Sequence, residues 1–421
     1  MSESAATQTP SQTTIQTFVI VGAGQAGGET ASELRKQGFT GRIVLVGDET
    51  HVPYRRPPLS KAYLSGTATQ ESLYILPPAG LEKARIEFIG GVRAERIDRA
   101  TKQLHLSDGR VLDYDKLVLA TGGRARVLSL PGADRPNVFP LRSIADVQAM
   151  RTHCLDGKSA VIIGGGFIGL EVAAVATKLG MKVTVLEGLP RVLARVTVPE
   201  VSTFFERIHR EAGVDLRTGV QITAFEGEPL VTHVLLGDGS RIAADFILAG
   251  IGQVPNVELA QQAGLAVDNG IVVDEYSRTA DPDIYAAGDC ANHPNEFYGC
   301  RLRLESVQNA MEQGRVVAAG LLGKSQVYNV VPWFWSDQYD LKLQMVGLSA
   351  GFDRMVLRGD LNARAFAAFY LKDGRLIAAD TVGRPQDFMF AKKLVALRVV
   401  VDPQVLADET VSLKTLLPAA A

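Results

Sequence analysis

Two copies of a dinucleotide-binding fingerprint constrain the fold of this 421-residue chain more than any other feature. In each copy an apolar strand leads into a G-x-G-x-x-G loop, a helical run follows, and a second apolar strand ends at an acidic residue. The loops are residues 22–27 and 164–169. In such a loop the first glycine makes a tight turn, the second lets backbone approach a pyrophosphate, and the third lets helix pack on strand. Two loops therefore predict two dinucleotides bound by one chain, as a hydride transfer between them requires.

Composition and charge exclude several classes of protein. Hydrophobic residues make up 46% and charged residues 21% of the chain, which is typical of a globular protein with two or three domains. The net charge of -2 argues against nucleic acid as the main partner, and no apolar run is long enough to cross a membrane. The cysteines, Cys154, Cys290 and Cys300, lack C-x-x-C spacing and favour a reducing cytoplasm. Residues 1–16 contain no Lys or Arg, so we expect a disordered tail rather than a targeting peptide.

Each fingerprint is followed by the same pattern, which indicates a repeated unit. An Asp-Gly hairpin turn comes at Asp108-Gly109 in the first unit and at Asp238-Gly239 in the second, and an apolar strand closes each unit. We therefore predict a first nucleotide domain over residues 17–121 and 253–326, interrupted by a second over residues 122–252. Residues 327–421 form a C-terminal α+β domain with strands at 364–371 and 376–382 and helices at 385–395 and 403–410.

Five motifs carry a family resemblance that extends over nearly the whole chain after the tail. They are Arg56-Pro57-Pro58-Leu59-Ser60-Lys61, Ala120-Thr121-Gly122, Ala287-Gly288-Asp289, the stretch 305–310 (ESVQNA) and the stretch 332–338 (PWFWSDQ). With them the chain resembles the FAD-dependent NADH:ferredoxin reductases of bacterial oxygenase systems, the putidaredoxin reductase and biphenyl dioxygenase ferredoxin reductase family. The resemblance implies an α/β flavoprotein with two dinucleotide-binding domains, like glutathione reductase, followed by the α+β domain. FAD is expected in the first domain and NAD in the second.

The resemblance also implies which residues contact FAD. Asp48 would accept hydrogen bonds from the adenosine ribose, with Glu49 as an alternative, and Asp289 would bind the ribityl chain. Lys61 would place a cation near the flavin N5 edge. The N-terminus of a helix that starts at Ser306 would face the pyrimidine end of the flavin. The full set of expected FAD contacts is Gly22, Gly24, Ala26, Gly27, Asp48, Lys61, Ala94, Arg142, Asp289 and Val307.

The nicotinamide nucleotide is expected at the second fingerprint. A carboxylate at Glu187 accepts hydrogen bonds from a ribose diol and repels a 2′-phosphate, which favours NADH. Arg191 and Arg195 follow closely and leave open a site for that phosphate. Glu171 resembles the acid that relatives place against the nicotinamide carboxamide and near the flavin lysine, Lys61. The expected NAD contacts are Gly164, Gly166, Phe167, Ile168, Gly169, Glu187 and Gly252.

The electron acceptor is constrained by the absence of paired cysteines in the sequence. Disulfide reductases pass electrons through a cysteine pair beside the flavin, so here the flavin itself must deliver single electrons. We expect an acidic iron-sulfur ferredoxin that feeds an oxygenase, with Trp335 near the flavin as the third catalytic residue after Lys61 and Glu171. A rubredoxin reductase, an NADH oxidase or a redox-gated binding protein like apoptosis-inducing factor are the alternatives. No metal site and no membrane partner are expected. Ferredoxin docking is predicted at Arg315, Lys342, Lys392 and Lys393.

Overall fold

In the computed structural model the described chain comprises residues 15–418, so residues 1–14 of the predicted tail and residues 419–421 lie outside it. The first fingerprint forms a parallel sheet in the order β7-β1-β2-β3, and β4, β5 and β6 form an antiparallel meander beside it. The elements are β1 (Thr17–Val21), α1 (Gln25–Lys36), β2 (Arg42–Val46), α2 (Pro78–Lys83), β3 (Ile86–Ile89), β4 (Ala94–Asp98), β5 (Gln103–Leu106), β6 (Val111–Asp113), β7 (Lys116–Leu119) and β8 (Gly123–Ala125).

The second fingerprint builds a sheet of the same kind. Its five parallel strands have the order β12-β11-β10-β16-β9, and β13, β14 and β15 form the matching antiparallel meander. The repeated sequence pattern therefore corresponds to a repeated structure. The elements are β9 (Val138–Phe139), α3 (Ile144–Arg151), β10 (Ser159–Ile163), α4 (Phe167–Lys178), β11 (Lys182–Glu187), α5 (Pro199–Glu211), β12 (Asp215–Thr218), β13 (Ile222–Glu226), β14 (His233–Leu236), β15 (Arg241–Ala243), β16 (Phe246–Ala249) and β17 (Gln253–Pro255).

After the second sheet the chain returns to the first. Strand β17 pairs with β8, and the strand that leads to Gly288-Asp289 adds to the free edge of β7 as the fifth strand of the first sheet. The long helix α7 then packs on α1, where the Thr30 hydroxyl donates to the Gly314 carbonyl oxygen at 3.4 Å. These elements are α6 (Glu258–Gln262), β18 (Ile271–Val272), β19 (Ile284–Ala286), β20 (Ala291–Asn295), β21 (Cys300–Leu302) and α7 (Val307–Leu321).

The C-terminal part is an antiparallel sheet covered by helices, in the order β22-β23-β26-β25-β24. It shares a buried apolar cluster with the second sheet, in which the Phe204 and Phe366 rings lie 5.0 Å apart. The predicted last helix ends early, at Ala407, because Asp408 leaves the helical conformation and its carboxylate accepts from Thr410 N–H. The elements are β22 (Trp333–Gln338), β23 (Leu341–Gly347), β24 (Arg354–Asp360), β25 (Ala365–Lys372), β26 (Arg375–Val382), α8 (Pro385–Ala396) and α9 (Pro403–Ala407).

This architecture confirms the predicted fold class of two dinucleotide-binding units followed by an α+β unit. Within residues 15–418, no helix combines the length and the apolar character that a membrane span requires.

Candidate active site between three sheets

A cavity of about 640 Å³ lies where the carboxyl ends of the first sheet meet the second sheet and the C-terminal sheet. Loops that follow β1, β2, β7 and β19 form its floor, as expected for a ligand site on a parallel sheet. The start of α4, the strand β22, the start of α7 and the stretches 56–61 and 140–143 contribute to its wall. Three separate parts of the chain therefore contribute to one cavity.

The first fingerprint loop leaves space at its middle glycine only. A Cβ atom on Gly22, whose φ is +111°, would lie 2.1 Å from the Ala120 carbonyl oxygen, and one on Gly27 would lie 1.9 Å from the Gly22 oxygen. A Cβ on Gly24 would meet no atom within 4 Å. The outer glycines are thus required by packing, whereas Gly24 borders open space at the start of α1. Helix N-termini with free N–H groups bind phosphates, so this loop fits the pyrophosphate of FAD.

The second loop repeats this geometry. Gly164, with a φ of +103°, and Gly169 are each packed against a backbone carbonyl oxygen, at 2.4 and 2.1 Å from a built Cβ, while Gly166 meets nothing within 4 Å. Helix α4 begins directly after Gly166. Glu187 accepts hydrogen bonds from the N–H groups of Gly165 at 2.6 Å and Leu189 at 2.7 Å, so its carboxylate is fixed at the mouth of the loop.

The two acidic residues after β2 differ in their surroundings. The Asp48 side chain is 66% exposed, lines the cavity and lies 3.9 Å from Arg93. Glu49 instead accepts hydrogen bonds from the Tyr54 hydroxyl at 2.6 Å and from Arg56 at 2.7 Å. Asp48 is therefore the carboxylate with free acceptor positions, and its assignment to the FAD ribose stays a prediction.

In the cavity wall, Lys61 and Glu171 form an ion pair. Lys61 Nζ donates to Glu171 Oε2 at 2.6 Å, and the Ser60 hydroxyl donates to the same oxygen at 2.5 Å. The Ser336 hydroxyl donates to the other oxygen, Oε1, at 2.6 Å. Glu171 is only 4% exposed, so three donors from two other parts of the chain hold a buried carboxylate. The predicted proximity of Glu171 to Lys61 is therefore present in the structure.

A second polar group in the cavity wall is centred on Asp289. Asp289 Oδ2 accepts from Arg142 at 3.2 Å and from the Gln253 amide at 3.1 Å. The Nε atom of Arg142 is buried without a partner among the described residues. Buried donors are rarely left unpaired, so an acceptor atom of a bound ligand suits this position. Val307, at the start of α7 behind its N-cap Ser306, and Ala26 also line the cavity.

Aromatic rings line the cavity on β22. Trp335 and Phe334 contribute to its wall, and the Phe334 ring packs 4.7 Å from that of Phe167. The Trp335 ring lies 5.6 Å from Trp333, whose ring in turn lies 4.6 Å below the ammonium group of Lys392. A series of aromatic rings thus leads from the cavity towards one of the predicted docking residues.

Some predicted site residues lie outside the cavity wall. Ala94 begins β4 in the first meander, and Gly252 has a φ of +96° next to Gln253; neither lines the cavity. The cavity lining also lacks Gly27, Gly164, Gly166, Gly169 and Glu187. Their contacts with a cofactor stay predictions. Arg191, the alternative phosphate ligand, donates instead to the Ser202 hydroxyl at 2.5 Å and to the Ala194 carbonyl oxygen at 3.0 Å.

The predicted docking residues differ in how far they are already paired. Arg315 donates to Glu29 at 3.0 Å and to Glu312 at 3.2 Å, so its charge is compensated. Lys342 lies 3.6 Å from Asp337 with 57% of its side chain exposed, and Lys393 is exposed. Lys342 and Lys393 are therefore the more accessible pair of cations.

The sequence reasoning missed several residues of the site. Ser60 and Ser336 stand inside motifs that indicated the family, yet nothing in the sequence shows that both hydroxyls contact Glu171. Gln253 was missed because its partner, Asp289, is 36 residues away along the chain. The contacts of Tyr54 and Arg56 with Glu49 were missed because they depend on the conformation of the loop after β2.

Comparison with known proteins agrees with this geometry. Residues 16–314 match the pyridine nucleotide-disulphide oxidoreductase family, and residues 333–417 match the reductase C-terminal family. Putidaredoxin reductase of Pseudomonas putida is 50% identical, covering 96% of this chain and 97% of its own. The ferredoxin–NAD(+) reductase subunit of the benzene 1,2-dioxygenase system of Pseudomonas putida is 39% identical, covering 92% and 94%.

A solved structure is similar over the same length. The crystal structure of a covalent putidaredoxin reductase–putidaredoxin complex superposes with a TM-score of 0.93 at 50% identity, covering 95% of this chain and 98% of that one. Within residues 15–418 the three cysteines are free, so the family name's disulphide has no counterpart there. The chain belongs to the pyridine nucleotide-disulphide oxidoreductase family, in the group of ferredoxin reductases that carry the reductase C-terminal domain.

Proposed function

We propose that this protein is an FAD-dependent NADH:ferredoxin oxidoreductase that supplies single electrons to an oxygenase. The observation that carries the proposal is the Lys61–Glu171 ion pair at 2.6 Å, which joins the two fingerprint units in one cavity. A hydride can pass between two nucleotides only if their reactive rings meet, and this ion pair brings the two units together at the cavity wall. The relatives named as ferredoxin reductases support the acceptor.

The residues of the chain have separate tasks in the proposed reaction. FAD, when bound, accepts a hydride and releases electrons one at a time. The open backbone at Gly24 and Gly166 accommodates the two pyrophosphates. The Glu187 carboxylate binds the ribose diol of NADH, and the buried Glu171 carboxylate orients the carboxamide. These contacts hold the donor in line and keep water out, which is what hydride transfer needs.

The acceptor is a protein rather than a disulfide substrate. Among the described residues the cysteines are unpaired, and Cys290 is buried against backbone carbonyl oxygens of Leu119 and Ala287. Electrons therefore leave the cavity past Trp335 towards a small iron-sulfur ferredoxin. The relative from the benzene dioxygenase system supports an oxygenase, acting on aromatic hydrocarbons, as the final consumer. We infer a cytoplasmic location, which suits three free cysteines.

Steady-state assays of the FAD-loaded protein test this proposal. NADH should be preferred over NADPH by kcat/KM with ferricyanide, because Glu187 repels a 2′-phosphate. Among acceptors, a [2Fe–2S] ferredoxin should give faster turnover than rubredoxin or oxygen. Faster turnover with rubredoxin would favour a rubredoxin reductase, and faster turnover with oxygen an NADH oxidase. Negligible turnover with all three would favour the redox-gated binding protein.

A further inference from the structure

A chain of buried hydrogen bonds continues from Glu171 away from the cavity. The Ser336 hydroxyl, bound to Glu171, lies 3.2 Å from Gln338 Nε2, and Gln338 Oε1 lies 2.9 Å from His209 Nε2. The Tyr339 hydroxyl lies 3.1 Å from His209 Nδ1. Ser336, Gln338 and His209 are all buried. Buried polar groups need hydrogen-bond partners, and each of these groups has a partner in this series of hydrogen bonds.

The direction of every hydrogen bond in this chain is fixed. Glu171 is paired with Lys61, so its oxygens accept, and Ser336 must donate to it. The Ser336 oxygen can then only accept, from the Gln338 amide, which turns the Gln338 oxygen towards His209. His209 must carry its proton on Nε2 and accept from Tyr339 at Nδ1. Burial lowers the pKa of His209, which keeps the ring neutral as this arrangement requires.

We infer that Ser336, Gln338 and His209 are positioning residues for hydride transfer, because they hold the Glu171 carboxylate on Lys61. Both Glu171 oxygens are engaged, so the carboxylate has little freedom to rotate away from the nicotinamide. Ser336 directly follows Trp335 on β22, so one strand carries both this anchor and the proposed electron exit. The inference rests on the proposed function, since it assigns residues to that reaction.

Two variants and a matched control test the role. Ser336→Ala removes the donor to Glu171, and Gln338→Met removes the donor behind it with little change in volume. Thr381→Val is the control, because Thr381 is a buried residue of the same sheet. Its hydroxyl donates to the Gln344 carbonyl oxygen at 3.3 Å, which is not one of the hydrogen bonds between Glu171 and His209. Each protein is loaded with FAD and mixed rapidly with NADH in the absence of oxygen.

Ser336→Ala should lower the limiting rate of flavin reduction about tenfold, since small misplacements of reacting groups cost this much or more. The NADH concentration for half-saturation should change less than about twofold, and Thr381→Val should behave as the wild type. Gln338→Met should slow reduction less than Ser336→Ala, and it decides the matter if Ser336→Ala does not fold. A wild-type limiting rate in the folded variants, or equal slowing in Thr381→Val, would overturn the inference.

A second readout does not depend on turnover. The ¹⁵N chemical shifts of His209 in the FAD-loaded protein should report a neutral ring protonated at Nε2, and Gln338→Met should perturb them. A His209 ring protonated at Nδ1 would contradict the proposed directions of the hydrogen bonds between Glu171 and His209. Failure of NADH to reduce the wild-type flavin would overturn the proposed function, whereas normal wild-type reduction with unslowed variants would overturn the positioning role alone.

Discussion

Glu171 and Asp380 are both buried carboxylates, but Glu171 pairs with a cation and Asp380 with hydroxyl groups. Glu171 has a cation, Lys61, at 2.6 Å. Asp380 is 3% exposed, and its side-chain partners within residues 15–418 are two hydroxyls, those of Tyr370 and Thr197, each at 2.6 Å. Burial raises the pKa of Asp380 to about 6. Glu171 thus forms an ion pair at the site, and Asp380 is a polar link between the C-terminal sheet and the second nucleotide unit.

Glu171→Gln should leave FAD bound and slow its reduction by NADH. The amide keeps the shape but loses the charge that Lys61 pairs with, so Lys61 and the nicotinamide shift. We expect a decrease of about 10- to 100-fold in the limiting rate, measured by rapid mixing. Glu200→Gln, an exposed acid on α5, is the control. A limiting rate equal to that of the control would show that Glu171 has no role in flavin reduction.

Asp380→Asn should change how stability depends on pH. Because the folded pKa of about 6 exceeds the ordinary value of 3.8, the folded protein binds the extra proton, and stability is lost as pH rises through this window. Above pH 6 the ionised carboxyl costs about 3 kcal/mol. The Tm of Asp380→Asn relative to wild type should therefore rise between about pH 4 and 6 and then level off. Asp360→Asn, at the exposed end of β24, should show no such trend; a parallel trend would refute the account.

At the scale of elements, the two fingerprint loops place their middle glycines in equivalent positions. Gly24 has a φ of −91° and Gly166 a φ of −81°, values that alanine adopts without strain. Any effect of alanine there comes from the space its methyl group occupies. Gly24→Ala should fold but purify with less FAD, whereas Gly166→Ala should keep its FAD and raise KM for NADH about tenfold. Flavin absorbance per protein and steady-state kinetics measure both, and each variant controls for the other. If Gly24→Ala raised KM for NADH and Gly166→Ala lost FAD, or if both variants showed the same effects, the assignment of FAD to the first loop and NAD to the second would be wrong.

Elements with local signals could be predicted from the sequence, and contacts between distant elements could not. The glycine spacing and the apolar strands placed both nucleotide units, and the Asp-Gly turns placed both meanders. The end of α9 was missed because Asp408 stops the helix through its own side chain. The bond between Ser336 and Glu171 joins residues 165 positions apart, and no pattern in the chain specifies it. Glu49 was an alternative to Asp48 because the loop between helix and strand leaves the register uncertain, and its contacts with Tyr54 and Arg56 depend on loop geometry.

At the scale of the whole molecule, a net charge of -2 can attract an acidic ferredoxin only through local cations. Lys342→Glu combined with Lys393→Glu should raise KM for the ferredoxin several-fold and leave NADH-to-ferricyanide turnover unchanged. Arg315 is less suitable for reversal because it also holds the buried Glu29. Wild-type ferredoxin reduction should slow as salt rises. Unaltered ferredoxin kinetics in the double variant would show that the ferredoxin docks on another face of the protein.

The central claim is that one cavity receives a hydride from NADH and releases single electrons to a ferredoxin. Sequential rapid mixing tests it most directly: FAD-loaded protein is first mixed with one equivalent of NADH without oxygen, then with excess oxidised [2Fe–2S] ferredoxin. The account predicts loss of flavin absorbance in the first step and its return in the second, with about two ferredoxins reduced per NADH because each cluster takes one electron. A flavin that NADH does not bleach, or one that stays bleached while the ferredoxin stays oxidised, would contradict it.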